Sequence, residues 1–294
     1  MSKNSIKKTI YSMTLIIFSL YLTSCVRYSK ESFSRDNRIN VISREEGSGT
    51  RDAFVNILKI TDDEGYDATI LSAEQNASTA VVLMTVQNDP AAIGYISFSA
   101  INDNVLPVLI DGVAPTIENI QNNTYKLARP FNLTFKEDLS PVSADFINYI
   151  LSEQGQTVVL NAGYVPVVSN TSYIPSGMQG TVTISGSTSV APLIKILAEN
   201  YEKINPGVNI LVSEGGSSTG ITSVEKNICD IGMASRDPKP SELNNGLIFK
   251  TMALDGIAVI IHPSNPLEAT LTSSEIRDIY TGKITHWSLE VIED

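Results

Sequence analysis

Histidine and cysteine are scarce in this chain of 294 residues, which has two of each. The histidines, His262 and His286, lie outside every serine-rich loop, so a serine nucleophile has no base beside it and hydrolase chemistry lacks a partner. No phosphate-loop lysine motif and no cluster with metal-ligand spacing occurs, which leaves a cofactor or metal without support. Basic residues are also short. The 21 Lys and Arg stand against 32 Asp and Glu, a net charge of −11, and so acidic a chain argues against nucleic acid as a partner. The one long apolar run, residues 10–22, is too short to cross the hydrocarbon core of a bilayer.

What is present begins with that run. Lys3, Lys7 and Lys8 precede it, the pattern of a secretory signal peptide over residues 1–24. It ends in Leu22-Thr23-Ser24-Cys25, which resembles a bacterial lipobox. On that reading Cys25 is a lipidated first residue that anchors the protein to the extracytoplasmic face of the cell membrane, and Cys229 has no disulfide partner and is a small core residue. An ordinary signal peptide with a chance cysteine is the alternative. Cleavage removes three lysines and no acid, so the charge moves from −11 to −14. Residues 25–37 are polar and mixed in charge, as suits a tether.

With 42% apolar and 18% charged residues, the remainder is globular and can bury one large core or two moderate ones. Residues 39–42 read as a strand and 50–58 as a helix with Phe54, Ile57 and Leu58 on one face. The alternation continues with a helix over 78–87, strands over 92–97 and near 105–110, and helices around 116–121 and 143–152. Residues 169–180, rich in Ser, Pro and Gly, read as a linker. A strand from Thr181 follows, then a helix on which Val190, Leu193, Ile194, Leu197, Ala198 and Tyr201 recur at helical spacing until Asn205-Pro206-Gly207 stops it. Strands over 208–212 and 230–234 flank a helix opened by Gly215-Gly216-Ser217, and Thr272 with Glu275 forms a capping box. The pattern is α/β.

Three hydroxyl-rich loops fall at strand-to-helix junctions: Ser48-Gly49-Thr50, Ser187-Thr188-Ser189 and Ser217-Ser218-Thr219. Helix N-termini expose unpaired amides and the positive end of a dipole, and glycine lets a ligand approach the backbone. Each loop alone is accounted for by ordinary capping. Together they can clasp a tetrahedral oxyanion without a broad positive field.

The segments TISGSTSVAP (183–192), EGGSSTG (214–220), DIGMASR (230–236) and IYTGKITHW (279–287) resemble the first half of a PstS-type phosphate-binding lipoprotein of the periplasmic-binding-protein superfamily. VISREEGSGTR (41–51), AIGYIS (92–97), residues 115–120 and residues 153–166 resemble that family's second half. The resemblance implies a bilobed type II fold, two α/β lobes joined by a hinge, that closes around inorganic phosphate and delivers it to the permease of an ABC importer, with no enzymatic activity. It assigns the anion contacts to Arg44, Ser48, Gly49, Thr50, Thr188, Ser189, Ser217 and Ser218, with Ser235 and Arg236 alongside. Arg236 departs from relatives that place an aspartate after the serine. A carboxylate there can accept the proton that distinguishes hydrogen phosphate from sulfate; Asp237 and Glu46 are the substitutes at hand.

The family's first half, 181–294, here follows its second half, 38–168. The chain is then either circularly permuted or part of a longer tandem protein. Twelve linker residues span at most about 40 Å, enough for one chain to build a complete site as a monomer, with exchange of halves in a dimer as the competitor. Permutation predicts one lobe from 105–256 and another from 38–104 with 257–294. The competing functions are a surface lipoprotein acting as adhesin or sensor without transport, and a receptor for sulfate or molybdate.

Overall fold

The computed structural model describes residues 33–265 and 269–290. The signal-peptide and Cys25 expectations lie outside the described residues. In chain order the elements are β1 (Asn40–Arg44), α1 (Gly49–Leu58), β2 (Glu74–Asn76), α2 (Thr79–Asn88), β3 (Ala92–Ser97), β4 (Leu106–Pro107), β5 (Leu109–Ile110), α3 (Ile117–Gln121) and β6 (Ala128–Phe135). There follow α4 (Pro141–Ile150), α5 (Glu153–Asn161), β7 (Val165–Pro166), β8 (Gly180–Gly186), α6 (Ala191–Ile204), β9 (Val208–Glu214) and α7 (Ser217–Glu225). The last are β10 (Ile231–Ala234), α8 (Pro240–Asn244), β11 (Ile248–Ile261), β12 (Thr270–Leu271) and α9 (Ser273–Tyr280).

Caps explain where the helices start. Ser48, Ser78, Thr116, Ser140, Ser152 and Thr272 each accept a first-turn amide, and Thr272 with Glu275 closes the expected capping box. Residues 168–179 contain no helix or strand.

Ten strands form one sheet in the order β2-β1-β3-β11-β6-β10-β8-β9, with β4 and β7 paired to β11. β1 lies parallel to β2 and β3, and β8 parallel to β9 and β10, as helical crossovers require. β11 joins the two sets. Its end, Ile257–Ile261, runs antiparallel to β3, while Ile248 to Gly256 runs antiparallel to β6.

The core is divided accordingly. Ile257, Val259 and Ile261 pack with Val41, Phe54, Ile93, Ile276 and Trp287 on one face, while Ala258 and Ile260 pack with Ile42, Val82 and Val86 on the other. A sheet covered on both faces accounts for the unbroken apolar run Ile257–Ile261 at the end of β11. A second core gathers Phe131, Leu133, Phe146, Ile184, Leu197, Tyr201 and Met233. Val105, Val108, Ile110, Ile120, Tyr125 and Leu127 belong with the first set, not the second. The expected lobe boundary at 104/105 therefore moves to Ala128, because the segment 105–127 buries its apolar side chains against β11 and α9 before the chain crosses over in β6.

At the crossing lies a buried ion pair. Arg129 Nη2 stands 3.0 Å from Asp255 Oδ2, and the two side chains are 1% and 0% exposed. Ser97 Oγ donates to Asp255 Oδ1 at 2.8 Å, and Arg129 Nη1 donates to the Ser235 carbonyl at 3.3 Å. Burial pushes the Asp255 carboxyl up and the Arg129 guanidinium down, and their mutual charge opposes both shifts. Removing one partner strands a buried charge. Arg129→Met should cost about 3–5 kcal/mol in urea unfolding, and Arg129→Met with Asp255→Leu should recover most of that loss.

Candidate functional site

The polar loops sit where the parallel strands end. β1 stops at Arg44, β8 at Gly186, β9 at Glu214 and β10 at Ala234, and the next residues of each lead into helix N-termini or, after β10, into Ser235. This crevice beyond the carboxyl ends of strands is where open α/β sheets bind ligands. Gly47, at φ 82°, turns the chain into α1, and its carbonyl accepts the Ser218 amide of the other lobe at 3.1 Å.

A chain of hydroxyls crosses between the lobes. Thr50 Oγ1 and Thr79 Oγ1 each lie 3.0 Å from Ser189 Oγ. Arg44 Nη2 donates to Thr188 Oγ1 at 3.2 Å and Nη1 to Thr79 Oγ1 at 3.4 Å, and the Thr79 amide donates to Thr188 Oγ1 at 3.5 Å. Ser187 Oγ donates to Ser235 Oγ at 3.0 Å, Ser217 Oγ lies 3.4 Å from the same atom, and the Ser235 amide donates to Ser217 Oγ at 3.1 Å. All of these side chains are buried. Hydroxyls both donate and accept, so a buried cluster of them satisfies itself and can re-aim its protons toward an anion.

Arg44 is the cation of this cluster and it is already neutralised. Its Nε and Nη2 form a two-point contact with the Glu45 carboxylate at 2.7 and 2.8 Å, and Nε also donates to the Asn76 carbonyl. The Arg44 amide donates to Tyr95 Oη at 3.1 Å, and Ser43 Oγ lies 2.9 Å from the same phenol. Burial pushes that phenol up to about 12, so it stays protonated at neutral pH.

The structure brings Arg44, Gly49, Thr50, Thr188, Ser189, Ser217 and Ser235 together, and Ser48 caps α1 beside them. Ser218 is half-buried against Gly47. Arg236 turns elsewhere: its guanidinium contacts Asp52 Oδ2 at 3.0 Å and Glu242 Oε1 at 2.6 Å. Asp237 and Glu46 are exposed, which leaves the aspartate position without a substitute among the two. Thr79 escaped the sequence reading, although Ser78-Thr79 opens a helix as Ser and Thr do in the other three loops.

A model of the PBP superfamily domain matches residues 23–154 and 171–293. The phosphate-binding protein PstS 2 of Streptococcus agalactiae is 41% identical over 262 residues, 87% of this chain and 89% of that protein. The chain belongs to the PstS family of the PBP superfamily. The crystal structure of a phosphate-binding protein of a phosphate ABC transporter from Streptococcus pneumoniae is 40% identical, covers 86% of this chain and 99% of its own, and has a TM-score of 0.69. The PstS of Bacillus subtilis is 29% identical over 147 residues, 49% of this chain and 47% of its own.

In this PstS-family chain Gly49 is a point of close approach. A Cβ there would collide with Ser217 Oγ and stand 2.8 Å from Ser235 Oγ, which belong to the opposite lobe. Overpacking of that kind costs about 1–3 kcal/mol. Gly49→Ala should lower the thermal midpoint by several degrees in calorimetry, whereas Gly65→Ala, where the Cβ meets nothing but φ is 87°, should cost less than Gly49→Ala.

Proposed function

We propose that the chain is an extracytoplasmic solute receptor that captures inorganic phosphate between its lobes and delivers it to the permease of an ABC importer. The convergence of Arg44, Thr50 and Thr79 from one lobe on Thr188 and Ser189 from the other carries this reading. Phosphate enters by exchanging hydroxyl-to-hydroxyl bonds for charge-assisted ones, which are about twice as strong as neutral ones. The amides at the start of α1 and α7 add their dipoles. Arg44, Ser48, Gly49, Thr50, Thr188, Ser189, Ser217 and Ser235 are the assigned contacts, with Thr79 added. Ser218 and Arg236 serve the closing of the lobes.

Circular permutation of the family's halves belongs to the same proposal. The Streptococcus agalactiae relative matches over nearly nine tenths of both chains, and the Bacillus subtilis relative over about half of both, as expected if only the former shares this order. Within one chain, strands from 38–168 and 180–261 interleave at β3-β11-β6-β10 of a single sheet, and we read the chain as a self-contained monomer. Gel filtration checks it: a single monomer peak is expected, and a stable dimer at low concentration would refute it. Cys25 supplies the lipid anchor.

Isothermal titration with phosphate, sulfate and molybdate tests the function. Phosphate is expected to bind at micromolar or lower concentration, and no heat from phosphate would overturn the proposal. Valine matches threonine in shape and lacks the hydroxyl, so Thr50→Val, Thr79→Val and Thr188→Val should each weaken phosphate binding about 10- to 100-fold, the loss of a hydrogen bond to a charged group at about 1.5–3 kcal/mol.

A further inference from the structure

Arg236 occupies the place where an acid could have met the anion, yet it is buried, 3% exposed, and its charge is spent on carboxylates. One of them, Glu242, comes from α8 in its own lobe, where it also accepts the Lys239 amide at 2.7 Å. Arg236 and Lys239 together hold Glu242 below the usual carboxylate range, against its burial. The other, Asp52, comes from the first turn of α1 in the opposite lobe. Asp52 Oδ2 stands 3.0 Å from Arg236 Nε and 3.2 Å from Lys239 Nζ, as close charges that are not aligned for a hydrogen bond.

These contacts form the only ion pairs that join the two cores among the described residues, since Arg44 pairs with Glu45, Arg51 with Asp67 and Lys195 with Glu214 within a lobe and Arg129–Asp255 lies on the crossing strands. The geometry is that of a clasp. Arg236 is fixed in its lobe by Glu242, and by its own carbonyl, which accepts from Asn132 Nδ2 at 2.9 Å. Asp52 is fixed by α1, whose N-terminal dipole favours a carboxylate in the first turn. Parting of the lobes would return Asp52 to water and leave Arg236 with Glu242 alone; in the closed arrangement the Asp52 contact lies beside the hydroxyl cluster without touching it.

We propose that Asp52 and Arg236 are a closing latch that slows release of the bound anion, so that the arginine acts on affinity as a positioning residue and makes no anion contact. The proposal rests on reading the hydroxyl cluster as the phosphate site. The latch and the anion contacts differ in what they control: the latch sets how long the lobes stay shut, and in related complexes affinity differences fall mainly on the dissociation rate.

Stopped-flow and titration measurements with inorganic phosphate on the wild type, Asp52→Asn, Arg236→Gln and the double variant separate the two. Each single variant should weaken phosphate binding about tenfold, with most of the change in the dissociation rate, and the double variant should lose less than the sum of the singles because both break the contact between Asp52 and Arg236. Asp52→Glu should retain most of the wild-type affinity. Additive losses, or an unchanged dissociation rate, would overturn the latch. Small-angle scattering without any anion gives an independent reading: the singles should show a larger radius of gyration than the wild type, and equal radii in folded variants would overturn it. A wild type that binds no phosphate yet widens on these substitutions would instead refute the phosphate reading alone.

Discussion

The structure depends on a group of hydroxyls that neither lobe can satisfy by itself. Ser189 Oγ finds its side-chain partners, Thr50 and Thr79, only across the cleft, and Thr188 Oγ1 finds Arg44 and the Thr79 amide there. A buried hydroxyl left without a partner costs about 1–3 kcal/mol. The lobes therefore have two ways to meet that demand: they close on each other, or they close on an anion that accepts from all of these groups at once. The second offers stronger bonds, and the proposed capture of phosphate draws on that difference. In the parted state water solvates the same hydroxyls, so the cluster favours closure without locking it.

Charge is arranged to avoid attracting anions indiscriminately. Three buried arginines lie near the cleft, and each has its own carboxylate: Glu45 for Arg44, Asp255 for Arg129, and Asp52 with Glu242 for Arg236. Sites built this way carry little net charge before the ligand arrives. An acidic protein can then hold an anion because hydroxyls, amides and helix ends act at contact distance, where a net charge of −11 spread over the whole chain matters little.

The α/β class, most helices and the three hydroxyl loops were legible in sequence, because apolar spacing and Ser or Thr caps are local signals. β6 and β11 were not. β6 carries Arg129, Pro130, Asn132 and Thr134, polar residues that suggest a loop until their partners Asp255, the Arg236 carbonyl and β10 are known. β11 crosses both cores, so its pattern changes at Asp255-Gly256 and fits neither a buried nor a half-exposed strand throughout. Within the site, residue types pointed to Arg44, Thr50, Thr188, Ser189 and Ser217, which the structure brings into one cluster. Arg236 turns away from that cluster: its guanidinium meets Glu242 six residues on and Asp52 184 positions back, and no local pattern encodes the second pairing.

The linker bears on hinge motion through where it is tied. Tyr173 Oη donates to Asp145 Oδ2 at 2.7 Å, Tyr201 Oη to the same atom at 2.6 Å and Ser176 Oγ at 2.8 Å, while Asn205 Nδ2 donates back to Tyr173. Tyr173 and Met178 also pack against the core of Phe131 and Met233. The linker from Tyr173 to Met178 is thus tied to the second core. Among the described residues the chain passes between the cores at Leu127–Phe131 and at Ala253–Ile257, and it touches the first core again at Val165. Two adjacent antiparallel strands, pinned to each other by Arg129 and Asp255, make a hinge that can bend while keeping the lobes in register. A linker tied across both cores would oppose such a bend; one clamped by Asp145 against the second core does not.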